Sequence, residues 1–188
     1  MKKIYLSLLI TALVASCCPS SNVLHDIKSF KPDDKYFTAG LNSLHFIIET
    51  SDIPRVDSIF TQIVNGYEIP VSAKGCAEGV FTGESPYDAY DYKHVVKLEI
   101  KNEKIICVDY DEVNRENVGK QSSEEYNEEM KVSGSSPSEA YPVYENFLIE
   151  KQNMMDVDAV SGASYSLYRF RYAVMVALMK ARIEAPEN

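Results

Sequence analysis

From Tyr165 to about Ala185 the chain is apolar nearly all round, with Leu167, Phe170, Val174, Val176, Leu178 and Ile183 spread over the faces of a single helix. A helix without a polar side has to be buried among other elements. The partners are legible upstream. Gly79-Val80-Phe81-Thr82-Gly83 is a short strand bounded by glycines. Tyr92 to Ile100 alternates, placing His94, Val96, Leu98 and Ile100 on one face and Lys93, Val95, Lys97 and Glu99 on the other. Lys104 to Asp111 is again strand-like, and the polar Lys101–Lys104 turn between the two runs makes them an antiparallel hairpin. The expected class is α+β: a small antiparallel sheet packed with helices and closed by the long C-terminal helix. The 188 residues, 45% of them hydrophobic, are enough for one such core.

Other helices carry their own start signals. Ser136-Pro137-Ser138-Glu139 is a capping box with proline at the first helical position, and its helix should run towards Gln152, with Pro142 loosening or breaking the second turn. Ser122 and Glu125 form a second box before Tyr126 to Val132. Pro54 to Val64 has helix-like apolar spacing ended by Gly66, and Leu44 to Ile48 is a short apolar run. No chemistry attaches to residues 36–74. Cys76 and Cys107 have no zinc-motif spacing and read as two small buried hydrophobes.

The start of the chain sets the compartment. Met1-Lys2-Lys3 precedes an apolar run from Ile4 to Val14, interrupted only by Ser7 and Thr11, and small residues then lead to Cys17. This is the order of a secretory signal, and the run is too short to span a bilayer permanently. Val14-Ala15-Ser16-Cys17 resembles the bacterial lipobox, which implies lipidation of Cys17 and attachment of the exported protein to a membrane, the outer membrane or cell surface in a Gram-negative cell. The expected division is a signal peptide over 1–16, a polar tether over 17–35, an extension over 36–74 and the main domain over 75–188. With 19 basic against 28 acidic residues the net charge is −9, which disfavours nucleic acid as a partner.

The chemistry sits at the entrance to the last helix. Asp158-Ala159-Val160-Ser161-Gly162-Ala163-Ser164-Tyr165-Ser166 is small and polar, and Gly162 lets backbone approach a ligand. Free amides at a helix start, aided by the helix dipole, favour an anion such as phosphate. The same residues also serve as a plain N-cap, and physics alone favours that reading, because a small-Gly-small run before a helix is common.

The pattern Asp-x-x-Ser-Gly-Ala-hydroxyl is similar to the signature of FMN-binding domains found in flavin-bearing subunits of respiratory complexes and in exported flavin lipoproteins. The resemblance extends to Gly79–Gly83, to the hairpin ending in Val108-Asp109-Tyr110-Asp111-Glu112-Val113, to Glu125–Lys131, to Ser133–Tyr141 and to Gln152, covering about Gly75 to Ala185. It implies FMN as cofactor, joined through its phosphate to Ser164 by a dedicated flavin transferase, with Asp158, Ser161, Gly162, Ala163 and Ser166 around the attachment point. The family usually carries Thr where Ser164 stands; a serine hydroxyl forms the same phosphoester, and Ser161 and Ser166 are fallback acceptors. Tyr90, Tyr92 and Tyr110 are candidate stacking residues, with Lys93 or His94 near the ring. Arg169 and Arg171, two apart on a helix, face different ways, so at most one reaches the phosphate.

The function this implies is a membrane-anchored carrier that exchanges electrons with membrane-bound redox partners, more a carrier than an enzyme with its own substrate. The alternative is a flavin-free lipoprotein module of the same fold that binds a partner. A serine hydrolase finds no support: His25, His45 and His94 lie far from the serines in sequence, and neither a Walker pattern nor a dinucleotide glycine fingerprint is present.

Overall fold

The computed structural model describes residues 35–132, 134–183 and 185; the signal segment, Cys17 and most of the tether lie outside the described residues. Two helices come first, α1 (Lys35–Thr50) and α2 (Ile53–Gly66). Three strands follow, β1 (Gly79–Glu84), β2 (Tyr92–Lys101) and β3 (Lys104–Asn114). After a 3-10 turn at Lys120–Ser122 come α3 (Glu124–Lys131) and α4 (Pro137–Lys151), and after a second at Met154–Asp156 comes α5 (Ser164–Ile183). The fold is α+β, as the hydrophobic pattern demands.

The sheet is antiparallel in the order β1-β2-β3. Val80 pairs with Glu99 and Phe81 with Leu98, while Val96 pairs with Tyr110 and Leu98 with Val108. The alternation in β2 works as expected: His94, Val96, Leu98 and Ile100 are buried, whereas Lys97 and Glu99 face out. On the covered face, α5 lies along β1 and β2 and α4 along β3. Gly83 allows the closest approach: an added Cβ would stand 1.9 Å from the Ala173 carbonyl oxygen and 2.6 Å from the Ala177 nitrogen. Lys180 and Arg182, at the end of α5, donate to the carbonyls of Thr82 and of Lys74 and Gly75, tying the helix to the sheet edge and to the approach to β1.

The free edge of β3 is closed by side chains. The Gln152 amide accepts from Ile105 N and donates to Ile105 O, both at 2.8 Å, as a neighbouring strand would. Glu145 accepts from Tyr110 N, and Gln121 donates to Tyr110 O. An unprotected edge invites pairing with other chains, and these side chains remove the invitation. Gln152 adopts a left-handed backbone (φ 58°) as the C-cap of α4, a conformation unfavourable for a non-glycine residue that its two bonds to β3 offset.

Several expectations need correction. Pro142 does not break α4, which runs without interruption from Pro137 to Lys151. Proline removes one amide donor and crowds the preceding turn; the burial of Ala140, Tyr141, Tyr144 and Leu148 around it outweighs that cost. The cap of α3 is Ser123 rather than Ser122, with its hydroxyl accepting from Tyr126 N. Cys107 is exposed and only Cys76 is buried; both are free. Residues 36–74 hold two helices whose Leu44, Ile48, Val56 and Phe60 belong to the same buried cluster as the sheet and α5. No helix among the described residues is long and apolar enough to cross a membrane.

Candidate functional site

The motif forms a tight turn that feeds α5. Gly162 takes φ +82°, a left-handed conformation that suits glycine, and the Ala163 amide closes the turn on the Val160 carbonyl at 2.9 Å. The turn is pinned from below. The Tyr144 hydroxyl donates to the Ala163 carbonyl at 2.7 Å, and burial pushes its pKa up to about 12, so it remains a donor. Arg171 Nη2 donates to the carbonyls of Met155 and Val157, fixing the approach. Arg171 therefore serves the loop from inside the protein, while Arg169 faces elsewhere, as their spacing requires.

Ser161 and Gly162 are exposed, and Ser164 and Ser166 are half-buried. The amides of Ser164, Tyr165 and Ser166 have no acceptor among the described residues; the first bonded amide of α5 is Leu167, which donates to Ala163 O at 3.3 Å. These are the groups a helix start offers to an anion.

A cleft of about 80 Å³ runs beside them. One wall is Gly162, Ala163, Ser166 and Arg169; the other is Ser135, Ser136, Pro137, Ala140 and Tyr141 at the start of α4. Tyr126 and Met130 of α3 and Glu112 of β3 complete the lining. Two helix starts thus meet at one cleft. An added Cβ on Gly134 would stand 3.8 Å from Gly162 Cα, so the two loops approach closely. Neighbouring this cleft, but lined by other residues, is a more open polar hollow of about 300 Å³ around Asn127 and Ser138.

Under the cleft lies a buried polar network. Glu112 accepts from Lys120 and, at 3.0 Å, from the Tyr141 hydroxyl. His94 Nε2 is 3.9 Å from the same carboxylate, while its Nδ1 is 3.0 Å from the Tyr110 hydroxyl. Burial alone would lower the Lys120 pKa, but the charge and hydrogen bond of Glu112 outweigh it and hold the ammonium charged. Its Nζ also stands 4.3 Å from the Tyr92 ring centroid and 4.6 Å from that of Tyr126. His94 moves the opposite way: burial, with the charges of Arg169 and Lys120, keeps its pKa well below the usual range, so the ring is neutral.

The site residues expected from sequence separate into three groups. Gly162, Ala163 and Ser166 line the cleft. Asp158, Ser161 and Ser164 lie in the adjoining turn and helix start, outside the lining. Tyr110 offers no stacking face: it is 0% exposed, enclosed by Tyr141 and Phe170 with centroids 4.5 and 4.9 Å away. Its position on the covered face of β3, opposite Val96, sends it into the core. Tyr90 is 82% exposed in the β1–β2 connection. The Tyr92 ring is engaged by Lys120, Lys93 pairs with Glu84 at 2.6 Å, and His94 is buried.

Glu112, Tyr126, Ser135, Ser136 and Tyr141 are the polar lining residues that the reading of the motif missed. They fall within the segments of family resemblance, and the capping box at Ser136 was visible, but nothing local tells that α4 begins beside α5. Among the described residues there is no cluster of three or more His, Cys, Asp or Glu suited to a metal.

The fold and the cleft together define a small α+β domain with an open cleft beside the start of α5. No protein-family profile matches the chain, and no curated protein does. Among solved structures it is similar to the CPE2226 protein from Clostridium perfringens, with 32% identity over 59% of this chain and 93% of that one, at a TM-score of 0.55. The chain belongs to the same family as that protein. A solution structure of a Clostridium thermocellum protein, 22% identical over 58% of this chain and 92% of that one, has a TM-score of 0.36. Neither protein's name states a ligand.

Proposed function

We propose that this chain is an exported, lipid-anchored flavoprotein that carries FMN for electron transfer, the flavin being attached through its phosphate to Ser164. The observation that supports the reading is the unsatisfied start of α5, with three consecutive amides lacking acceptors beside an open cleft. Those are donors a phosphate can accept from, and none of the three is taken by a capping side chain among the described residues. Ser164 is half-buried at the first position of α5, and its hydroxyl has no partner among the described residues, so it is free for an ester bond. The cleft fits the phosphate end of FMN and not the whole molecule, since pockets that enclose a drug-sized ligand run to roughly 300–1,000 Å³.

Bound FMN would supply the one- and two-electron chemistry. The residues of this chain hold and orient it. The amides of Ser164 to Ser166 receive the phosphate, and Tyr144 and Arg171 keep the turn in shape. Tyr126, Met130 and Pro137 give the cleft an apolar rim. The attachment at Cys17 and the transferase and membrane-bound redox partners belong to the same proposal.

Mass spectrometry tests it. Protein co-expressed with a matched flavin transferase should gain the mass of one FMN less water on the peptide containing Ser164, and a lipid on Cys17. Ser164→Ala should lose the flavin and keep the fold. A wild-type protein that gains no flavin mass is the outcome that favours a flavin-free binding module.

A further inference from the structure

We infer that Arg169 is the cation that reads the anionic end of the bound group, and that Glu49 on α1 positions it; this rests on the flavin reading above. Gly162 or Ala163, Ser166 and Arg169 recur every three or four residues, so they share the face of α5 that forms one wall of the cleft. The Arg169 fork is held from behind: Nε donates to Glu49 Oε1 at 2.9 Å and Nη2 to Oε2 at 2.7 Å. Both side chains are mostly buried, 24% and 19% exposed. Two parallel bonds fix the plane of the guanidinium as well as its position. Nη1 has no acceptor among the described residues, which leaves its donors for a ligand oxygen.

The opposite wall offers a second unused group. Ser135 is 7% exposed, lines the cleft, and its hydroxyl has no hydrogen-bond partner among the described residues. The cleft also contains a carboxylate, Glu112, but its charge is matched by Lys120. Arg169 and Glu49 likewise cancel in net charge. What remains for an anion is directed donors: the free edge of Arg169, the Ser135 hydroxyl and the amides of α5. Glu49 is not part of the lining, so it acts through Arg169 as a positioning residue. This gives the 36–74 segment a role, since α1 brings the carboxylate without which the guanidinium is free to swing out of register.

The test uses the full chain produced without flavin transferase, titrated with FMN and with riboflavin, which lacks the phosphate. Flavin fluorescence is followed for the wild type, R169Q, R169K, E49Q and E49D. Wild type should bind FMN more tightly than riboflavin. R169Q should weaken FMN by about tenfold or more, the scale of one lost hydrogen bond to a charged group, and leave riboflavin unchanged. R169K should not restore FMN binding, because an ammonium lacks the fork. E49Q should weaken FMN severalfold, and E49D should recover part of that loss. Circular dichroism checks each fold; if R169Q does not fold, the contrast of E49Q with E49D decides. Unchanged FMN binding in the Arg169 or Glu49 variants, equal losses for FMN and riboflavin, or no FMN binding by the wild type each overturns this inference. A wild type that gains no flavin mass with the transferase removes the flavin reading itself.

Discussion

The buried pair under the cleft makes the strongest quantitative prediction. Lys120 and Glu112 are 10% and 3% exposed at their side chains. Replacing Lys120 by Met keeps an apolar stem between Tyr92 and Tyr126 and removes the charge. Glu112 then stays buried with only the Tyr141 hydroxyl as a close partner. Removing one member of a buried pair costs about 3–5 kcal/mol. The low end applies here, about 3 kcal/mol, because Tyr141 still donates. With a urea slope of about 2 kcal/mol/M, the unfolding midpoint should fall by about 1.5 M. The double variant K120M/E112Q, which leaves no buried charge, should be more stable than the sum of the single losses by about 1.5 kcal/mol or more. Additive single losses would refute the idea that this pair is a coupled buried unit.

Further outcomes follow from single contacts. Gly83→Ala sets a Cβ against the α5 backbone and should cost about 3 kcal/mol or more, read as a fall in Tm; a loss under about 1 kcal/mol would mean that α5 can shift. Tyr144→Phe removes the bond to the Ala163 carbonyl, costs about 1 kcal/mol, and should speed amide exchange in the Val160–Ala163 turn; unchanged exchange there would deny its pinning role. His94 is held neutral with a folded pKa below its unfolded value. The unfolded chain therefore takes up a proton that the folded one refuses, and stability falls as pH drops below about 6.5, by up to about 1.4 kcal/mol per pH unit for this group. His94→Gln should flatten that acid limb in urea titrations from pH 7 to 5, and an unchanged slope would assign it to other groups.

How much of this was legible depended on the range of the interaction. The β2–β3 hairpin, its inward face, the capping box at Ser136 and the start of α5 were readable, because each is fixed by neighbours within a few residues. Helix α1 was not: only Leu44 to Ile48 stood out, and it is packing of Leu44 and Ile48 against the shared core that makes the longer segment worth folding. Pro142 misled for the same reason, since local propensity argues against a helix that tertiary burial maintains. Tyr110 looked like an available aromatic, yet strand alternation already placed it on the face of Val108 rather than outside. The cleft itself was half visible. Ser166, Gly162 and Ala163 came from the motif, whereas Ser135, Glu112 and Glu49 arrive from residues distant in sequence, and no spacing rule connects them.

The size of the cleft bears on why a covalent link would be useful. A space of about 80 Å³ encloses a phosphate and leaves a three-ring system outside it. The contacts available to FMN are then mainly directed hydrogen bonds at one end. Such bonds contribute about 1.5–3 kcal/mol each when a charged group is involved, and part of that is offset by the entropy of immobilising the ligand. Three or four of them support an affinity that is modest for a protein that, under the proposed function, faces dilute surroundings outside the cytoplasm. A deeper pocket would raise affinity but would also bury the ring and lengthen the path for electrons. An ester to Ser164 at the rim resolves that conflict: retention no longer depends on burial, and the ring stays where a membrane-bound partner can reach it. On this argument Ser164→Ala should bind FMN reversibly, with an affinity set by Arg169 and the α5 amides, and dialysis should strip the flavin from the variant while leaving it on the wild type. A Ser164→Ala protein that retained flavin through dialysis as well as the wild type does would show that enclosure, not the bond, holds the cofactor.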